Sequence, residues 1–185
     1  AARIELPRLD PAKFRDPERT AKGEKRAKVA LERLATLWFN TGTLCNQTCA
    51  TCYIESSPTN DRLVYFSLDE VRAYLDEIAV RALPTEVIGF TGGEPFMNPA
   101  IVAMMALAAE RGFAVLVLTN AMRPMMKQAA RLEALAVRFG DRLTMRVSLD
   151  HYTQALHEIE RGPRSWRPAI EGLCWLADHG FRVHV

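Results

Sequence analysis

The chain has no apolar run long enough to cross a bilayer. Its longest, Pro99 to Ala109, stops at the charged Glu110, far short of the roughly 20 residues a membrane helix requires. The opening Ala1-Ala2-Arg3-Ile4-Glu5 carries no apolar core of the kind a secretion signal needs. The expectation is a cytoplasmic protein with no membrane partner. Net charge is nearly absent as well, with 24 Lys and Arg against 22 Asp and Glu, +2 overall. The first 35 residues hold ten cationic and six acidic side chains. That is too mixed in sign for a polyanion site, and no nucleic-acid partner is expected. Low-complexity tracts and repeats of residue identity are lacking. A disordered chain is excluded by a composition 49% hydrophobic and 25% charged, ordinary for one globular domain.

Cysteine is scarce, and its placement is therefore informative. Of four, Cys45, Cys49 and Cys52 crowd into eight residues, and Cys174 stands far away. In a chain without secretion signals this spacing reads as a metal or cluster site rather than a disulfide framework. Asn46, Gln47 and Thr48 make the segment a polar loop, which argues against three unrelated buried cysteines. Iron–sulfur cubanes usually take four cysteines, and structural zinc takes four Cys or His ligands. Neither need is met locally, because the nearest histidine in sequence is His151. Either Cys174 folds back, or the fourth position is left open for a substrate or cofactor.

Apolar runs alternate with helical periodicity along the chain. Residues 1–17 read as an irregular arm and 18–35 as a leading helix with a Lys/Arg-rich face, weakened by Gly23. The domain division expected is therefore 1–35, arm and helix, and 36–185, core. Strands are expected at Thr36–Phe39, Glu86–Phe90, Phe113–Leu118, Leu143–Leu149 and Phe181–Val185. Between them, Ser67-Leu68-Asp69-Glu70 is a capping box with Leu68, Val71, Leu75 and Ile78 at helical spacing. Asn98-Pro99 reads as an N-cap pair opening a helix that Gly112 closes, and further helices are expected over Pro124–Phe139 and Ser165–His179. Apolar strands each followed by a helix give an α/β fold with a parallel sheet, either doubly wound or a partial TIM-like (β/α) barrel. A complete barrel uses about 250 residues, about 30 per unit. The sequence thus stops as its fifth strand begins, and with no initiator Met at residue 1 it is expected to be part of a longer protein.

Polar residues without an evident structural role collect at the carboxyl end of each expected strand. They are the cysteine loop, then Thr91-Gly92-Gly93-Glu94-Pro95, then Thr119-Asn120, then Ser148-Leu149-Asp150. In parallel α/β folds this edge carries the active site. Gly92-Gly93 lets backbone come close to a ligand, and Glu94 adds an acceptor for an amine.

Together these motifs resemble the radical SAM (S-adenosylmethionine) superfamily over Leu37 to about Gly172. Cys45-x3-Cys49-x2-Cys52 is similar to its cluster motif, with Asn46 and Tyr53 as common flanking choices. Thr91-Gly92-Gly93-Glu94-Pro95 is similar to the segment that holds the SAM amino group. Thr119-Asn120 resembles its Thr-Asn-Gly, with Ala121 in place of the glycine, and Ser148-Leu149-Asp150 its Ser-x-Asp near the SAM ribose and carboxylate. His157-x3-Arg161-Gly162-x2-Ser165-Trp166 resembles a stretch of the branch with molybdenum-cofactor and peptide-modifying enzymes, where the arginine binds the SAM carboxylate. Thr51 stands where an aromatic residue or histidine is usual, and His151 where glycine is.

The resemblance implies a [4Fe–4S] cluster on the three cysteines and SAM on its open iron. It implies reductive cleavage of SAM to a 5′-deoxyadenosyl radical that abstracts hydrogen from a small-molecule or peptide substrate, with flavodoxin or ferredoxin as electron donor. The alternatives from other classes are a zinc-stabilised binding module and a simple iron–sulfur electron carrier. Tyr53 is expected to line the adenine pocket. Cys174 is expected to be a core cysteine, and Met104, Met105, Met122, Met125 and Met126 to be packing.

Overall fold

The computed structural model describes residues 10–13 and 15–185. Residues 1–9 and 14 of the expected arm lie outside the described residues. Two compact units divide the chain, residues 1–32 and Arg33–Val185.

In the first unit the expected leading helix is corrected. No helix occurs among described residues 18–35. Arg19 and Lys25 pair instead in an antiparallel bridge, around a turn with Gly23 at φ +82. Local side-chain bonds favour that turn over a helix. Asp16 Oδ1 accepts from the backbone N–H groups of Glu18 and Arg19, and Thr20 Oγ1 accepts from Glu24 N. Further along, Val29 and Leu31 are exposed, so no apolar stripe repays helix formation.

The second unit is a five-stranded parallel sheet in the order β1-β2-β3-β4-β5. The strands are β1 (Thr36–Asn40), β2 (Val87–Thr91), β3 (Ala114–Thr119), β4 (Leu143–Val147) and β5 (Arg182–His184). A doubly wound sheet needs a point where strand order reverses, and none occurs. Because parallel crossovers are right-handed, an unreversed order puts every connecting helix on one face. Burial agrees. Phe39, Ile88, Phe90, Val115, Val117, Leu143 and Met145 are buried in one core, while on the other face Trp38 and Arg146 are exposed. The fold is α/β, a partial (β/α) barrel.

Helix α1 (Leu68–Val80) starts at the expected capping box, with Ser67 and Glu70 bonding reciprocally, and buries Val71, Leu75 and Ile78. Helix α2 (Ile101–Glu110) does not start at Asn98 as expected. A single 3-10 turn, Pro95–Met97, comes first, and the N-cap is Ala100. Asn98 is a stitch instead. Its Oδ1 accepts from Ala100 N, while its Nδ2 donates to the carbonyls of Thr41 and Phe66. The expected helix over 124–139 is two pieces, α3 (Arg123–Met126) and α4 (Ala129–Phe139). They serve different neighbours, since α3 meets α6 and the 3-10 turn while α4 meets α2.

Helix α5 (Gln154–Arg161) was not expected at all, and α6 (Trp166–Asp178) follows it. Met104, Met105 and Met125 are fully buried packing, as expected. Cys174 is a correction, for it is exposed on α6 rather than in the core. The buried stripe of α6 runs through Ala169, Gly172 and Leu176, which turns residue 174 outward. Among the described residues no helix is long and apolar enough to cross a membrane.

Candidate active site

All five parallel strands point the same way, so the loops after β1 to β4 meet at one end of the sheet. There they enclose a cavity of about 220 Å³. Cys45, Cys49 and Cys52 line it from the loop after β1, and Gly92 and Gly93 from the loop after β2. Thr119 and Asn120 face it from the end of β3, Ser148 from the end of β4, and Arg161 from the last turn of α5. Tyr53 also borders it, at the mouth and 82% exposed. Ten of the twelve residues singled out from the sequence thus surround one space. The other two, Glu94 and Asp150, stand behind it.

Glu94 is buried, and both of its carboxylate oxygens are committed to the protein. Oε1 accepts from Phe96 N at 3.2 Å and from the Thr119 hydroxyl at 2.8 Å, and Oε2 accepts from Asn120 N at 2.8 Å. The carboxylate therefore ties the loop after β2 to the end of β3. Burial pushes its pKa up to about 7 against the opposing pull of those donors, the Asn120 N–H foremost. A carboxyl held above its ordinary value binds a proton in the folded chain that the unfolded chain has already released. Its contribution to stability is full below about pH 4.5 and is lost as pH rises through about 7. The wild type should therefore lose more melting temperature between about pH 5 and pH 8 than Glu94→Gln does. Equal losses in thermal melts of the two proteins would show that Glu94 keeps its ordinary pKa.

Asp150 pairs with Arg161. Nε donates to Oδ2, and Nη2 donates to Oδ1 at 3.1 Å. The guanidinium hydrogen bonds hold the Asp150 carboxyl below its usual range. The fork that faces Asp150 leaves the Nη1 side of Arg161 turned to the cavity and Cys49.

Gly92 and Gly93 were expected to let backbone approach a ligand, and the structure shows a second reason for both. A Cβ on Gly92 would meet Gly42 O at 2.6 Å, and one on Gly93 would meet Leu44 O at 2.3 Å. Gly93 N donates to Gly42 O and Glu94 N to Leu44 O, so the two loops lie backbone against backbone. Ala121, where related motifs have glycine, sits in the left-handed region at φ +57.

The cysteine loop is held from several sides. Asn120 Nδ2 donates to Asn46 Oδ1 at 2.9 Å, and Ala50 N donates to Glu160 O at 2.9 Å. Each thiol sulfur also has an N–H donor directed at it, from Gln47 N, Arg161 Nη1 and Ser56 N. Burial raises the Cys45 thiol to about 11 and pushes Cys49 up as well. Loading a metal centre therefore releases protons. Among the described residues, no three His, Cys, Asp or Glu side chains converge as a single metal ion would require. The thiols instead border a shared cavity, with no fourth cysteine on it. That donor set fits an iron–sulfur cubane with one open iron better than a tetrahedral ion.

Sequence reasoning missed Gln47, Thr51 and Ser56 as cavity residues. Their proximity to the cysteines in the chain was the available signal. It also missed the burial of His157, which packs edge-on to Trp166 at 5.4 Å and has no hydrogen-bond partner on either ring nitrogen among the described residues.

A family model, Radical SAM superfamily, matches residues 39–185. The chain is 30% identical over 142 residues to the antilisterial bacteriocin subtilosin biosynthesis protein AlbA of Bacillus subtilis, covering 76% of this chain and 30% of that one. It is 27% identical over 146 residues to the AdoMet-dependent heme synthase of Nitratidesulfovibrio vulgaris, covering 76% of this chain and 36% of that one. Among solved structures, Streptococcus suis SuiB bound to S-adenosylmethionine superposes with a TM-score of 0.66 at 16% identity, over 82% of this chain and 33% of that chain. This chain thus spans about a third of the length of these proteins. The family uses a [4Fe–4S] cluster and S-adenosylmethionine, and its model runs from β1 to the last residue. The chain whose parallel strands carry this cavity of three thiols and a Gly-Gly loop at their carboxyl ends therefore belongs to the radical SAM superfamily.

Proposed function

We propose that the chain carries the SAM-cleaving core of a radical SAM enzyme, with residues 36–185 as that core. The observation that carries this reading is the convergence of Cys45, Cys49 and Cys52 with Gly92 and Gly93 on one cavity. In this reading the three thiolates hold a [4Fe–4S] cluster. Once reduced by an external one-electron donor, a cluster held there would supply the electron for cleavage of the sulfonium C–S bond of SAM to methionine and a 5′-deoxyadenosyl radical, which would abstract hydrogen from the substrate.

The chain's own residues bind and orient. Backbone around Gly92 and Gly93 takes the SAM amino group, with Glu94 fixing that loop from behind rather than touching the ligand. Arg161 and Ser148 meet the carboxylate, and Asp150 aims the arginine. Thr119 and Asn120 hold the ribose side, and Tyr53 covers the adenine. Burial of the cavity floor keeps water from the reacting carbon. The substrate is a small molecule or a peptide, and the reductant is a flavodoxin- or ferredoxin-type donor. Relatives named for bacteriocin biosynthesis and for heme synthesis support both substrate classes. A net charge of only +2 supports a protein acting without nucleic acid, and clustered free cysteines support a reducing, cytoplasmic setting.

The test is anaerobic. Iron and sulfide are reconstituted into the protein, iron per chain is measured, and dithionite and SAM are added. The expected products are methionine and 5′-deoxyadenosine. Iron bound without SAM cleavage would favour an electron carrier, and zinc retained in place of iron a structural site.

A further inference from the structure

The three cavity thiols are not equivalent in what faces them. Cys45 Sγ receives the backbone N–H of Gln47 at 3.4 Å and the neutral side-chain Nδ2 of Asn120 at 4.0 Å, and Cys52 Sγ receives the backbone N–H of Ser56 at 3.3 Å. Cys49 Sγ receives Nη1 of Arg161 at 3.8 Å, a donor that carries positive charge. The guanidinium is not free to drift from this position. Its Nε and Nη2 donate side-on to the two oxygens of Asp150, a bidentate pairing that fixes the plane of the group. Its side chain is only 23% exposed, so water screens it weakly.

The backbone that carries Arg161 is joined to the loop that carries Cys49. Ala50 N donates to Glu160 O at 2.9 Å, Thr51 Oγ1 to Glu160 Oε2 at 3.3 Å, and Gln47 Nε2 to Arg161 O at 3.3 Å. Thr51 makes its bond from the position where related motifs carry an aromatic residue or histidine. Three hydrogen bonds thus join the last turn of α5 to the cysteine loop, holding cation and sulfur in register.

Hydrogen bonds to cluster sulfurs and nearby positive charge stabilise the reduced, more negative form of an iron–sulfur centre, raising its reduction potential. We infer that Arg161 is a positioning residue for the cluster itself. Aimed by Asp150 and acting through Cys49 Sγ, it sets the reduction potential before SAM arrives. The inference rests on the reading of Cys45, Cys49 and Cys52 as cluster ligands, and it is separate from any contact of Arg161 with SAM.

The experiment compares the reconstituted wild type with Arg161→Lys and Arg161→Gln, without SAM. Dithionite reduces the centre by one electron in the presence of mediator dyes, and electron paramagnetic resonance of the reduced cluster reads the midpoint. Glutamine removes the charge. Lysine keeps it but cannot pair with Asp150 and reach Cys49 at once. Both variants should therefore titrate at more negative potential than the wild type. A lysine variant at the wild-type potential would overturn the inference, leaving only a diffuse charge effect. Failure of both variants to hold iron would overturn it too, making Arg161 a support of the loop. A wild type that assembles no four-iron cluster would instead remove the ligand reading on which all of this stands.

Discussion

Iron content after reconstitution should fall to background when Cys45, Cys49 or Cys52 is replaced singly by alanine, and SAM cleavage should vanish with it. Two thiolates cannot hold a cubane that already leaves one iron without a protein ligand. No other cysteine is placed to substitute, because Cys174 is exposed on the outer side of α6 while the three thiols border the cavity. Cys174→Ala is the matching control. It should keep full iron and change stability by less than about 0.5 kcal/mol, as surface substitutions do. Iron lost from Cys174→Ala but kept by Cys45→Ala would overturn the ligand assignment.

The convergence of these residues on one cavity was legible in the sequence because it depends on spacing along the chain. The cysteine motif, Gly92-Gly93, Thr119-Asn120 and Ser148 each follow an apolar strand, and parallel strands bring their carboxyl ends together whatever the details of packing. The strands were legible because short stretches rich in apolar residues lie between turn signals, although burial alternates along β3 and β4. What remained hidden depends on partners distant in sequence. Glu94 reads as a ligand-facing acid until Thr119 and Asn120 are seen to occupy it. Asp150 reads as a ribose contact until Arg161 is seen to hold both of its oxygens.

Helix α5 was hidden for a different reason. Its apolar residues Leu156 and Ile159 face outward, and the side chain it buries is His157. A helix of inverted pattern gives no amphipathic signal pointing to the core. Its importance lies at its C-terminal end, where Glu160 and Arg161 meet the cysteine loop. Cys174 failed in the opposite direction. Leu173, Leu176 and Ala177 near it suggested a core stripe, yet the buried stripe runs through Ala169, Gly172 and Leu176, two residues to either side of Cys174.

Gly93→Ala should be the most damaging single methyl in the site. The backbone at Gly93 does not require positive φ, so the obstacle is space alone. An added Cβ would stand 2.3 Å from Leu44 O and 2.7 Å from Thr43 O, both backbone atoms of the segment leading into Cys45. Neither atom can turn aside as a side-chain tip can. The loops must part, breaking the bonds from Gly93 N to Gly42 O and from Glu94 N to Leu44 O. Overpacking of this kind costs about 3 kcal/mol at its upper end. In a domain of this size that corresponds to a fall in melting temperature of roughly 6–12 °C. Because the displaced segment carries Cys45, cluster loading should fall along with stability.

Gly140→Ala sets the scale. Gly140 has helical angles, φ −46 and ψ −46, and its Cβ would meet nothing closer than Gly180 O at 3.5 Å. Alanine there should be neutral or stabilise by about 0.4–1 kcal/mol through the unfolded chain. Thermal melts and iron analysis of the two variants together check the argument. A Gly93→Ala protein that melts with the wild type and loads full iron would mean that the loops after β1 and β2 are not fixed to one another. The Gly-Gly pair would then serve the ligand alone.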